Sequence, residues 1–409
     1  MSGALHIGID ISGTQNLAYF MDNDGNKVRK ALSFANSYEG LEEFLHIVED
    51  LARSHEPETV NIGMEATGFY WWHLQEALKD LQLGEAKVEI FTINPSLIKN
   101  FKKTYPTLPK TDYIDAFVIA DRLRFGRLTP LHRGSLVHAP LARLTRLRYN
   151  LKNNIQKEKN RAINLVFLKF SGFRQATGRR TFHKSAMDIL TEFTPDEIAE
   201  RPLEELVHFI LEHGNHRFAE PEEFVKELKK AARNSYRLSP DMEDSVSVAL
   251  SMTVENIRFH ESQCKKLDKV IERELKAIPQ TLTSVPGIGS TLAAGIIAEI
   301  GDINRFDGEK ALAKFAGLTW HKHQSGPFEA EETSLTKAGN VYLRYYLVEA
   351  ANSLRLHNPE FAAHYQRKYE EANKHQHKRA LVLTARKFVR MVFALLSKGQ
   401  IYQKQEVRS

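Results

Sequence analysis

The sequence predicts an α/β domain over roughly residues 1–130, followed by a chain that is almost wholly α-helical. Three observations carry this. Short apolar runs of alternating pattern, separated by turn residues, fill the first 35 positions. Strand-like and helix-like runs then alternate up to residue 125, the pattern of α/β architecture. From Leu141 onward apolar residues recur at helical spacing in long segments.

Residues 5–11, 16–21 and 27–34 read as a three-stranded meander, punctuated by Ser12-Gly13-Thr14 and Asp22-Asn23-Asp24-Gly25-Asn26. Residues 38–54 read as an amphipathic helix with Leu41, Phe44, Leu45, Val48 and Leu51 on one face. A fourth strand, 59–64, ends at Glu65. Residues 70–83 read as helix and 87–92 as a fifth strand. Pro95 opens a short helix, and Thr111 is placed to cap a helix over 112–125. Residues 131–275 read as a helical linker. It carries the densest basic stretch of the chain (Arg143, Arg146, Arg148, Lys152, Lys157, Lys159 and Arg161) and then a heptad. Leu250, Ile257, Cys264 and Ile271 occupy one seam position, and Thr253, His260, Leu267 and Glu274 the other. The polar members predict a weak coiled coil suited to pairing with another chain. The third expected domain, 276–409, is helical. Residues 281–303 read as helix, glycine turn, helix around Val285-Pro286-Gly287-Ile288-Gly289, and three helices follow over 338–357, 360–373 and 377–397.

Composition narrows the function. The 409 residues carry a net charge of +6, which permits a polyanionic partner without requiring one. The single cysteine, Cys264, excludes a disulfide framework and a cysteine-based zinc site, and suits the cytoplasm. No apolar run approaches the roughly 18 residues of a membrane span, and the N-terminus lacks a signal-peptide pattern.

The acids are placed selectively. Asp10 and Glu65 end two strands, where open α/β sheets present ligands. Asp112 and Asp115 share the first turn of one helix. Four carboxylates from three segments suit hard cations such as Mg²⁺, which takes oxygen ligands and retains waters for substrate phosphates. A pair of such ions suits phosphodiester chemistry. Each acid alone is more often a plain turn or helix-start residue, and only the joint pattern points to a site. The turn Gly8-Ile9-Asp10-Ile11-Ser12-Gly13-Thr14 also resembles the first phosphate loop of actin-like sugar kinases. The second phosphate turn and the adenosine motif of those enzymes are absent from the sequence.

Gly287 and Gly289 form a helix–hairpin–helix-like turn able to meet a nucleic-acid phosphate through backbone N–H groups; a plain tight turn explains the same residues. Beyond it, Ser325 lies in a polar loop with His321, Lys322 and His323, followed by Lys337 and Arg344, which could hold phosphate charge. Spacing alone does not select Ser325, because a serine hydroxyl needs activation to be a nucleophile.

Taken in order, Gly8-Ile9-Asp10, Glu65-Ala66-Thr67-Gly68, Lys110-Thr111-Asp112-Tyr113-Ile114-Asp115-Ala116, Val285-Pro286-Gly287-Ile288-Gly289, Ala316-Gly317-Leu318, Gln324-Ser325-Gly326, Lys337-Ala338-Gly339-Asn340 and Arg344 resemble the DEDD-type transposases of the insertion-sequence-110 family, relatives of Piv-type DNA invertases. The resemblance covers roughly 5–130 and 276–397. It implies a RuvC-like (ribonuclease H fold) N-terminal domain whose quartet is Asp10, Glu65, Asp112 and Asp115 with Mg²⁺, and a C-terminal transposase domain whose nucleophile is Ser325. It further implies cutting and rejoining of donor and target DNA through a covalent phosphoserine, guided by a structured bridge RNA, in a homodimer or tetramer acting at the nucleoid. Nucleic-acid contacts are expected at Gly287, Gly289, Lys337, Arg344, Arg143, Arg146 and Lys152. Where the family often has Ser-Lys after the first Asp, this chain has Ser12-Gly13. Two other activities use parts of the same set. A hydrolytic RuvC-like nuclease needs only the acids, and a non-catalytic RNA-binding protein needs neither acids nor serine.

Overall fold

β1 (Ala4–Ile11) is the central strand of the N-terminal sheet, and its residues are buried on both faces as that position demands. It pairs antiparallel with β2 (Gln15–Met21) and parallel with β4 (Thr59–Glu65), giving the order β3-β2-β1-β4-β5. β3 is Leu32–Ala35, and β5, Lys87–Ile93, runs parallel to β4. This computed structural model describes residues 3–105, 107–128, 130, 137–214, 220–320, 324–325, 328–329 and 335–403. It divides into two compact units, residues 1–137 and 138–409.

In the first unit, α1 (Tyr38–His55) starts at Ser37, whose hydroxyl accepts the Gly40 N–H. Its Phe44, Val48 and Leu51 pack against Leu5, Ile7, Ile9, Ile62 and Met64 on one sheet face. Burial of such side chains supplies about 1.5–3 kcal/mol each. α2 (Trp72–Leu78) and α3 (Pro95–Lys102) are short. α4 (Asp112–Phe125) covers the opposite face, with Thr111 as its N-cap as the sequence predicts.

Two elements are shorter than expected. The third strand covers only Leu32–Ala35, because Lys27 makes just an isolated bridge to Met21 while Arg29 turns its guanidinium over the Phe20 ring. The second helix stops well inside 70–83. The Trp71 indole folds back to donate to the Gly68 carbonyl, and the Leu81 N–H closes a tight turn on Leu78.

The second unit is organised on two long helices, α5 (Ala139–Lys169) and α11 (Pro240–Lys276). Arg148 pairs with Asp268 and Lys159 with Glu261, so the two run antiparallel. The heptad seam is not free for another chain. Leu250, Ile257 and Cys264 pack on Ile155, Ala162 and Val166, and Ile271 packs near Leu141. Burial inside one chain satisfies the seam, and the pairing it predicted is intramolecular. Between the long helices, α6 (Phe173–Thr177), α7 (Lys184–Glu192), α8 (Pro195–Glu200), α9 (Leu203–His213) and α10 (Pro221–Arg233) form a helical cap on their far ends. At the near ends α12 (Ser290–Ile300), α13 (Glu309–Phe315), α14 (Val341–His357), α15 (Pro359–Glu370) and α16 (Gln376–Lys398) enclose the largest core, around Tyr346, Phe361 and Phe388. β6 (Gln324–Ser325) and β7 (Phe328–Glu329) form a small antiparallel pair. Among the described residues no helix is long and apolar enough to cross a membrane.

Candidate active site

The acid cluster is built by strand register and two glycines. Ile9 stands beside Met64 on adjacent parallel strands, so the next residues, Asp10 and Glu65, leave the sheet side by side at its C-terminal edge. One pleat earlier Gly8 stands beside Gly63 on the same face. There α4 lies so close that a Cβ on Gly8 would come within 2.3 Å of the Ala116 carbonyl and the Ala120 nitrogen, and one on Gly63 within 2.9 Å of Leu123. α4 runs antiparallel to β1, with its start near Asp10 and its last turns near His6. Paired glycines therefore let the helix settle on the sheet, and its first turn brings Asp112 and Asp115 to the edge where Asp10 and Glu65 emerge. Sequence reasoning missed this pair; two glycines at matching strand positions were the available signal. Gly8→Val is expected to cost about 3 kcal/mol by overpacking, read as a lower urea midpoint; an unchanged midpoint would contradict the close packing.

The electrostatics agree. Asp10 is half-buried, and its carboxyl is pushed up from 3.8 to about 6, first by burial and then by Asp115, Asp112 and Glu65. Glu65 accepts a hydrogen bond from the Thr67 hydroxyl at 2.7 Å. Asp112 is exposed, whereas half-buried Asp115 is ion-paired with Lys102 of α3. The donor set is all hard carboxylate oxygen and carries mutual repulsion that a divalent cation would relieve, so its chemistry fits Mg²⁺. Among the described residues, no three acidic, histidine or cysteine groups stand close enough to hold an ion as they are.

The remaining predicted residues fall into two groups. Arg146 forms a bidentate pair with Glu299 at 2.7 and 2.8 Å, and Asn340 also donates to that buried carboxylate at 2.6 Å. Arg344 donates to the Ala316 and Lys337 carbonyls at 3.1 and 3.0 Å, tying together the two flanks of the polar loop. Both cations therefore have partners within the fold. Arg146→Met is expected to cost about 3 kcal/mol, because it strands the Glu299 charge. The same substitution should leave the salt dependence of DNA binding unchanged. Denaturation and binding titrations check the two halves separately.

Arg143, Lys152 and Lys337 are exposed. Gly287 has φ +94°, and its carbonyl accepts the Ser353 hydroxyl at 2.6 Å, while Gly289 opens α12 and a Cβ added there would meet nothing within 4 Å. The expected leading helix of that turn is only a 3₁₀ turn, Leu282–Ser284. Pro286 drives Val285 into extended backbone and stops a longer helix. Ser325 belongs to β6, paired with Phe328; its side chain lies outside the described residues, as do His321, Lys322 and His323.

Residues 7–170 match a family model described as Transposase, and residues 279–366 match one described as Transposase IS116/IS110/IS902 family. The chain belongs to the IS110 family of transposases. Its N-terminal mixed sheet lies within the part matched by the DEDD transposase model, a domain that is RuvC-like in that family. A transposase for insertion sequence element IS1111A from Coxiella burnetii is 37% identical over 92 residues, which cover 21% of this chain and 25% of that protein. An IS110 43.6 kDa protein from Streptomyces coelicolor is 26% identical over 322 residues, 73% of each chain. A pilin gene-inverting protein of Moraxella bovis is 26% identical over 161 residues, 38% of this chain and 50% of that protein. The match thus spans a quarter of the first of these relatives, most of the second and half of the third. Use of a divalent metal is implied by the DEDD type of the IS110 transposase domain.

Proposed function

We propose that this transposase cuts and rejoins DNA through a covalent phosphoserine at Ser325, with Asp10, Glu65, Asp112 and Asp115 as ligands of Mg²⁺. The observation that supports the reading is that Asp10 and Glu65 leave adjacent strands side by side, with Asp10 raised first by burial and then by Asp115, Asp112 and Glu65. In the first transfer the Ser325 Oγ–P bond forms as a P–O bond of the DNA backbone breaks. The serine proton is lost, and the departing deoxyribose oxygen takes up a proton. In the second transfer a DNA hydroxyl attacks the phosphoserine, the new DNA bond forms, and the serine oxygen leaves and is reprotonated. One phosphodiester is exchanged for another, so the cycle is isoenergetic and needs no nucleotide cofactor. Bound Mg²⁺ would neutralise charge on the phosphate undergoing transfer.

Sequence choice is assigned to a structured bridge RNA that pairs with donor and target DNA. The protein then needs only to grip backbones, a role suited to exposed Arg143, Lys152 and Lys337 and to the open N-terminus at Gly289. The active form is a homodimer or tetramer. The deciding experiment is recovery of protein linked to labelled donor DNA under denaturing conditions. A serine-linked adduct is expected when RNA, DNA and Mg²⁺ are all present. Free DNA ends without an adduct identify a hydrolytic nuclease instead, and RNA binding with no DNA product identifies a non-catalytic binder.

A further inference from the structure

The acid quartet contains a cation of its own. Lys102 closes α3, and its ammonium is paired with the Asp115 carboxylate, both about a quarter exposed (25% and 27%). Packing holds it there. Ile98 and Phe101 of α3 join Val118, Ile119 and Leu123 of α4 in one apolar cluster. The Phe101 ring meets Tyr105 and Phe125, and Arg122 lies over both Phe101 and Phe125. α3 therefore cannot slide along α4 without breaking this cluster, and Lys102 is held at Asp115, which shares the first turn of α4 with Asp112.

We infer that Lys102 is a built-in counter-cation that competes with divalent metal for Asp115. Three carboxylates act on Asp10, and the Lys102 ammonium is paired with one of them. A metal ion drawing on Asp115 must displace Lys102, so metal affinity is set below what four acids alone would give. Lys102 is in this sense a positioning residue: it acts through Asp115 and sets the threshold at which the site loads. The inference rests on the reading of the quartet as a metal site.

The test is Mn²⁺ binding to the full-length protein, followed by the paramagnetic signal of free ion, for wild type, Lys102→Met, Lys102→Arg, Asp115→Asn and the Lys102→Met/Asp115→Asn pair. Methionine keeps most of the apolar stem and removes the charge. Lys102→Met is expected to bind Mn²⁺ about tenfold more tightly, a change of about 1.4 kcal/mol. Lys102→Arg should restore wild-type affinity, and in the Asp115→Asn background Lys102→Met should change nothing. In EDTA, Lys102→Met should melt below wild type and recover on adding Mg²⁺, which a merely structural lysine would not do. Unchanged or weaker Mn²⁺ binding by Lys102→Met, with wild type binding normally, overturns the inference. Should Lys102→Met fail to fold, Lys102→Gln measured against Lys102→Arg decides by the same criterion. Absence of Mn²⁺ binding by wild type removes the metal reading itself, and the inference with it.

Discussion

Asp10→Asn is expected to abolish recombination and, in the absence of metal, to stabilise the protein. The first effect follows from removing one ligand of a cation that would supply several kcal/mol to phosphoryl transfer, about 10³-fold or more in rate. The second follows from charge. The Asp10 carboxyl is raised to about 6 in the fold against an ordinary 3.8, so the native state holds its proton more tightly than the unfolded chain does. Between those values folding stability falls as pH rises. The favourable contribution is fully present below about pH 4 and lost above about pH 6. Asparagine has no such titration. At pH 8 in EDTA the variant should exceed wild type by about 1–2 kcal/mol, a figure reduced from the full shift because a half-exposed carboxylate is screened by water. At pH 4 the two should coincide. Mg²⁺ should raise the wild-type melting temperature and leave that of Asp10→Asn nearly unmoved. Thermal melts at the two pH values, with and without Mg²⁺, check all of this; a wild type that gains stability from pH 4 to 7 relative to the variant would show that the acids do not repel.

Ser325→Ala carries the second large effect. It should eliminate the denaturation-resistant protein–DNA adduct and reduce recombinant product to background, while DNA and RNA affinities stay within about twofold, because a single hydroxyl adds little to a largely electrostatic grip. The contrast with Asp10→Asn is informative. Loss of a metal ligand slows formation of the adduct, whereas loss of the serine oxygen removes the atom to which DNA is joined. Persistence of the adduct in Ser325→Ala would assign the linkage to another residue.

Local chemistry explains what the sequence could reveal. Thr111 before Asp112, the turn residues at 12–14 and 22–26, and the five-residue apolar face of α1 mark elements whose signals lie within a few positions of each other, and each is found in the fold. The placement of the acids at strand ends was legible for the same reason. Partners far apart in sequence were not. Arg146 lies in a basic run that reads as a nucleic-acid surface, and nothing near it announces Glu299. The heptad of α11 reads as an open seam because the helix that fills it begins about a hundred residues earlier. The Gly8–Gly63 pairing becomes meaningful only once the parallel register of β1 and β4 is known. The significance of Ser325 came from resemblance, since a hydroxyl in a polar loop has no pattern of its own.

The filled seam between α5 and α11 turns the middle of the second unit into a ruler. At about 1.5 Å per residue the 31 residues of α5 extend about 46 Å, more than the roughly 34 Å of one turn of duplex DNA. Because the helical cap and the C-terminal core sit at opposite ends of this braced pair, their separation is written in residue count. Deleting one residue from either helix would rotate its far end by about 100° and throw the two registers out of step. Removing a heptad from both, at facing positions, would preserve phase and bring the ends about 10 Å closer. Length in this region is therefore a design parameter of the transposase, adjustable in quanta of seven.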